Sequence, residues 1–206
     1  MDIMKKIEEI KIVPVAVIED AENAKPLGEA LLNGGLPLVE VTFRTAAAAE
    51  SISILRKEFP DMIVGAGTVL TVDHVKDAVK AGTQFIVTPG FNPTIVDYCV
   101  GNNISICPGL NIPSFIEWGM ERGLYHFKFY PADLSGGPKM LQLLSGPYPN
   151  VKFMPTGGVN NETLAEYLKL DNVFACGGSW LVKRDLISSK NFKEITNRTK
   201  KAISLI

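Results

Sequence analysis

Lys128 is the residue whose surroundings could make it react. It lies in Phe127-Lys128-Phe129-Tyr130-Pro131-Ala132, where an amine sits inside an aromatic, strand-like run that a proline stops. In a strand, the period of two puts Lys128 on the face of Tyr130 and sends Phe127 and Phe129 to the other. Removing an ammonium from water favours its neutral form, and a neutral amine is a nucleophile. On its own the run favours a lysine at a strand end whose head snorkels back to solvent. Its companions in the chain alter that balance.

Leu38 to Thr45, LVEVTFRT, places Glu40, Thr42 and Arg44 on one strand face, opposite Val39, Val41 and Phe43. On a strand covered by apolar neighbours those charges point inward, and buried charges need partners or a ligand. In Gly65-Ala66-Gly67-Thr68 the glycines allow backbone to approach a small ligand, and Thr68 adds a hydroxyl, with Thr71 better suited as a helix N-cap. Pro89, in VTPGF, withdraws a backbone donor and frames a rigid turn, and CPGLNIPS is similar in kind. Two glycine pairs follow: Thr156-Gly157-Gly158 leads toward a helix, and Gly177-Gly178-Ser179 follows the last strand. Such turns at helix N-termini present N–H groups to an anion, so the two together point to a phosphorylated ligand.

The elements that must position these groups alternate along the chain. A short amphipathic helix over Met1 to Ile10 precedes strands at Ile12–Ile18, Leu36–Phe43, Met62–Ala66, Phe85–Val87, Ile104–Cys107, His126–Tyr130, Val151–Met154 and Val173–Cys176. Between them the spacing predicts helices over Ala21–Asn33, Ala46–Lys57, Val72–Ala81, Pro93–Gly101, Ser114–Arg122, around Lys139–Leu144 and over Glu162–Leu168. A final helix, broken near Ile187, runs from Phe192 toward Ile203. Eight units recurring at roughly 20 to 26 residues imply right-handed βαβ crossovers. They predict an α/β protein with a closed (β/α)8 (TIM) barrel, its site at the carboxyl ends of the strands and phosphate at the seventh and eighth loops. No GxGxxG follows the first strand, which argues against a dinucleotide fold. No linker or low-complexity tract divides the 206 residues, so one domain is expected over 1–206.

Composition narrows the function classes. Hydrophobic residues make up 46%, charged residues 21%, and the net charge is −1, so no basic excess suggests a nucleic-acid partner. No apolar run approaches the roughly 20 residues of a membrane helix, and the N-terminus lacks a signal pattern. Cys99, Cys107 and Cys176 are widely spaced and read as reduced, buried thiols of a cytoplasmic protein. His74, His126, Trp118 and Trp180 read as packing residues, and no ligand-spaced cluster calls for a metal.

The set VEVTFRT, GAGTVL, TPGF, FKFYPA, PTGGV and GGSWL resembles the 2-keto-3-deoxy-6-phosphogluconate (KDPG) aldolases, class I enzymes of one family with 4-hydroxy-2-oxoglutarate aldolase. The likeness runs from Val13 to Val182. It implies that Lys128 forms a Schiff base with pyruvate or the C2 ketone of the aldol and that Glu40 shuttles protons through water. Arg44 and Thr68 are similar to the residues holding the pyruvyl carboxylate, with Pro89 and Tyr130 lining the site. Gly157, Gly158, Gly178 and Ser179 fall where the family binds phosphate, and Thr156 matches the gluconate enzyme, where a galactonate-selective relative has an apolar residue. The resemblance implies no cofactor, no metal and a homotrimer. It makes the expected reaction the cleavage of 2-dehydro-3-deoxy-6-phosphogluconate to pyruvate and D-glyceraldehyde 3-phosphate. Cleavage of 4-hydroxy-2-oxoglutarate to pyruvate and glyoxylate is a second expectation. The 2-dehydro-3-deoxy-6-phosphogalactonate aldolase and a phosphosugar isomerase barrel without lyase activity stay open as alternatives. Tyr130, Ile112 and Phe115 stand where phenylalanine, threonine and glutamate are expected, which leaves preference among 2-keto acids open.

Overall fold

The continuous apolar runs form parallel strands buried on both faces, as strands covered on both sides require. The computed structural model describes residues 3–206, so Met1 and Asp2 of the expected first helix lie outside the described residues. The strands are β1 (Ile12–Ala16), β2 (Leu38–Thr42), β3 (Ile63–Gly67), β4 (Phe85–Val87), β5 (Ile106–Cys107), β6 (Gly109–Leu110), β7 (His126–Phe129), β8 (Lys152–Pro155) and β9 (Cys176–Gly178). The helices are α1 (Ile3–Ile10), α2 (Ala24–Asn33), α3 (Ala48–Glu58), α4 (Val72–Lys80), α5 (Pro93–Gly101), α6 (Pro113–Met120), α7 (Gly137–Leu144), α8 (Leu164–Leu168), α9 (Arg184–Ser188) and α10 (Phe192–Ile203). Among the described residues no helix is long and apolar enough to cross a membrane.

Six strands form one curled parallel sheet in the order β5-β4-β3-β2-β1-β9, and three form another, β6-β7-β8. Isolated parallel bridges join Phe153 to Val173 and Thr156 to Gly177, linking the second sheet to the chain entering and forming β9. Pro108 separates β5 from β6 because it has no N–H to give a ladder. Its carbonyl still accepts from the Lys128 N–H at 3.0 Å. The strand expected at Ile104–Cys107 is therefore shortened to β5, and a further piece, β6, follows the proline. The strand expected at Val173–Cys176 is instead β9, Cys176–Gly178, because the regular ladder with β1 starts only at Cys176. Ala21–Asn23 is a 3-10 turn rather than the start of α2, while Pro26 sits in the first turn of α2, where no N–H is needed. Thr71 caps α4 as expected, its Oγ1 accepting the His74 N–H at 3.0 Å.

Strand alternation creates two cores. Val39, Val41, Phe127, Phe129 and Phe153 belong to the core between strands and helices. Val13, Leu38, Ile63, Phe85, Val87, Cys107, Met154 and Phe174 form an inner core enclosed by the strands of both sheets, joined by Met4 and Ile7 of α1. By period two, Glu40 shares the inner face with Leu38, and Lys128 faces inward between Phe127 and Phe129. Helix α1 thus covers the inner core at the amino ends of the strands, away from the carboxyl ends. Ile7 is 1% exposed, so Ile7→Ala should destabilise the fold by about 2–5 kcal/mol through lost contacts and a cavity. Urea unfolding of the two proteins reads this directly; a loss below about 1 kcal/mol would mean that α1 does not seal the inner core.

Candidate active site

Space inside the strands is set by where side chains are missing. A Cβ on Gly65 would lie 2.2 Å from the Phe85 ring, and one on Gly67 would lie 1.9 Å from Glu40 Oε1. The two glycines of β3 therefore leave room for a large aromatic and, one level higher, for the Glu40 carboxyl. Glu40 is fully buried, and neither carboxyl oxygen has a hydrogen-bond partner among the described residues. Lys128 is 3% exposed, pairs in register with Gly109 and Met154, and holds its Nζ 5.1 Å from the centre of the Tyr130 ring. Burial pushes the Glu40 carboxyl above the usual carboxylate range, and the cationic Lys128 and Arg44 oppose that shift without cancelling it. Cys107, at the end of β5, is a further buried group in this field. Desolvation drives its thiol pKa upward, against the pull of Lys128.

Arg44 continues the inward face of β2 beyond the strand and donates from Nε to Thr68 Oγ1 at 3.1 Å. Thr68 holds that position with φ at 53°, a left-handed conformation that costs a β-branched residue about 1–3 kcal/mol. Arg44, Tyr130, Thr156, Gly157, Gly158, Gly178 and Ser179 line one cavity of about 410 Å³ at the carboxyl ends of the strands. Gly157 and Gly158 have φ of 93° and 88°, and with Ser179 their N–H groups donate to no acceptor among the described residues. The helix dipole does not add to them as expected. The helix after Gly158 begins only at Leu164, and the five-residue α9 begins at Arg184.

The structure thus gathers two sets. Lys128 and Glu40 lie in the inner space, with the Arg44–Thr68 pair above; the glycine turns face the cavity with Tyr130 and Thr156. Pro89 stands apart from that cavity, in a neighbouring depression of about 370 Å³ shared with Phe91 and Phe115. Its backbone nevertheless packs on Gly109, the register partner of Lys128. Ile112 is 44% exposed, and Phe115 stacks on Phe91 with centroids 6.1 Å apart. Sequence reasoning missed Glu19 and Arg184, which also line the main cavity. Val13, Val15, Val17 and Glu19 alternate, so period two carried a signal for Glu19; Arg184 sits in a helix too short to show a period.

Residues 3–198 match the family of KDPG and KHG aldolases. The chain belongs to that family. It is 45% identical over 204 residues, 99% of this chain and 96% of the relative, to the 2-dehydro-3-deoxy-phosphogluconate aldolase of Haemophilus influenzae. The KDPG aldolase of Legionella pneumophila, solved with pyruvate captured at low pH as a covalent carbinolamine intermediate, superposes with a TM-score of 0.90. It is 41% identical, over 93% of each chain. The aldolase of Zymomonas mobilis solved with 3-phosphoglycerate also gives 0.90, at 36% identity over 98% of this chain and 96% of that one.

The pKa of Glu40 gives a test with a definite sign. A carboxyl raised on folding contributes stability that is fully present below the unfolded glutamate pKa, about 4.3, and is lost as pH rises through the folded value. Wild-type stability should therefore fall relative to Glu40→Gln as pH is raised from about 4 to 8. Urea midpoints of both proteins across that range check it; parallel curves would show that the carboxyl is not raised.

Proposed function

We propose that the chain is a class I aldolase that cleaves 2-dehydro-3-deoxy-6-phosphogluconate into pyruvate and D-glyceraldehyde 3-phosphate, with Lys128 as the amine and Glu40 as the acid and base. The observation that carries the reading is a lysine 3% exposed, facing the same enclosed space as a carboxyl with no hydrogen-bond partner among the described residues. Family membership and the carbinolamine of the Legionella relative support the same chemistry. Lys128 Nζ attacks the C2 ketone, and the carbinolamine hydroxyl leaves as water after taking a proton from Glu40. The resulting iminium is the electron sink: the C4 hydroxyl gives its proton to the Glu40 carboxylate, the C3–C4 bond breaks, its electron pair enters the enamine, and glyceraldehyde 3-phosphate departs. Protonation at C3 and hydrolysis by water return pyruvate and free Lys128. A carboxyl whose pKa is raised toward the working pH suits both directions of proton transfer.

Arg44, held by Thr68, is suited to the substrate carboxylate, and Pro89 to the wall beside Lys128. Thr156, Gly157, Gly158, Gly178 and Ser179 suit the phosphate, and Tyr130 the chain between. The gluconate substrate is preferred to its galactonate epimer because the relative at 45% identity bears the gluconate name. The shared family with KHG aldolases supports 4-hydroxy-2-oxoglutarate as a further substrate. An isomerase without lyase chemistry has no use for the buried amine and carboxyl.

The proposal includes a closed (β/α)8 barrel forming a single domain over 1–206. The bridges from β8 to the β9 segment and the inner core drawn from both sheets support that closure. It also includes a homotrimer in the cytoplasm: Leu134 and Leu143 are 86% and 73% exposed, and contacts between copies would cover such apolar surface. Pyruvate with borohydride should label the protein irreversibly, and Lys128→Ala should abolish labelling and lower kcat by at least about 10³-fold. Unchanged labelling of that variant would remove Lys128 from the assignment.

A further inference from the structure

Glu19 and Arg184 stand on the rim of the main cavity. Glu19 lies in the loop following β1 and Arg184 opens α9 beyond β9, and the two strands pair with Pro14 beside Gly178. Arg184 Nη2 is ion-paired with Glu19 Oε1, and the side chains are 66% and 42% exposed. A second pair, Lys190 Nζ to Glu22 Oε1 at 2.8 Å, ties the same two stretches of chain a few residues further on. The charged residues lining the cavity are Glu19, Arg44 and Arg184. Arg44 is committed to Thr68, on the side of β2 and β3, while Arg184 lies on the side of Gly178 and Ser179.

With Arg184 held by Glu19, a doubly charged phosphate at the glycine turns would meet backbone N–H groups and a carboxylate. Without Arg184, the negative charge of Glu19 would offset that of Arg44 across the whole cavity. An ion pair this exposed contributes little and is easily exchanged. A guanidinium binds phosphate bidentately, and the dianion attracts it more strongly than a carboxylate does. The ladder between β1 and β9 keeps the two backbone segments together while one side chain changes partner.

We propose that Glu19 and Arg184 form a charge-exchange pair that sets the preference for phosphorylated over unphosphorylated aldols. Arg184 leaves Glu19 for the terminal phosphate, and Glu19 sets how strongly an anion must compete for it. The inference rests on the aldolase reading above, and its test separates the two. kcat/KM is measured for 2-dehydro-3-deoxy-6-phosphogluconate and for the same aldol without phosphate, in the unaltered protein and in Arg184→Ala, Arg184→Lys and Glu19→Gln. Arg184→Ala should lower the ratio of phosphorylated to unphosphorylated kcat/KM about tenfold, chiefly through KM, and Arg184→Lys should recover part of it. Glu19→Gln should raise the ratio about two- to threefold by freeing the guanidinium, and added salt should shrink both effects. Equal losses for both substrates in Arg184→Ala, or a lowered ratio in Glu19→Gln, would overturn the exchange pair. Trapping of pyruvate by borohydride in the unaltered protein reports on the reading beneath it. A protein that traps pyruvate without these ratio changes overturns the pair alone, and one that traps none overturns both.

Discussion

The burial of an amine and a carboxyl in one enclosed space is the constraint on which the rest of the structure depends. Taking either charge out of water costs several kcal/mol, on the order of the whole stability margin of a domain. The fold encloses both, and the positive charges of Lys128 and Arg44 offset part of the burial cost of the Glu40 carboxylate. Gly65 and Gly67 give up side chains on β3 to make room for Phe85 and Glu40. Phe127 and Phe129 turn outward into the core beneath the helices, which leaves Lys128 turned inward. Helix α1 seals the amino ends of the strands, so the carboxyl ends are where a small molecule meets these groups.

The arrangement is more useful for chemistry than for stability. A buried carboxyl without hydrogen-bond partners among the described residues would be better replaced by an apolar group if folding were the only demand. Its raised pKa is what a residue needs when it must both give and take a proton near neutrality. Thr68 belongs to the same pattern: its left-handed backbone is held where a hydroxyl meets the Arg44 guanidinium. Local cost concentrates around one small volume, while the outer core of branched and aromatic side chains carries the fold.

Much of this was legible in the chain because strand alternation has a fixed period. LVEVTFRT and FKFYPA each place one charged face opposite an apolar face, and that was enough to turn Glu40 and Lys128 toward a common interior. The parallel class and the succession of strands followed from apolar runs alternating with helical spacing. The details that failed were those that depend on partners distant in sequence. Val173 and Phe174 look like strand, yet the ladder with β1 begins at Cys176, a matter of register that no local pattern contains. The glycine turns were expected at helix N-termini, but intervening residues separate them from α8 and α9. Pro89 lines a depression beside the main cavity, and its backbone packs on Gly109, a neighbourhood that only the pairing of distant strands creates. Arg184 carried no local signal because it meets Glu19, 165 positions away by number, only through the pairing of β1 with β9.

In the proposed reaction Lys128 bonds to the substrate ketone while Glu40 serves the proton transfers beside it. A crystal soaked with pyruvate tests both parts at once. The density should run continuously from Lys128 Nζ to pyruvate C2, with the pyruvate carboxylate at Arg44 and Thr68 and Glu40 within hydrogen-bond or one-water reach of the new centre. Pyruvate bonded to a different lysine, or bound without a covalent link and away from Glu40, would contradict it.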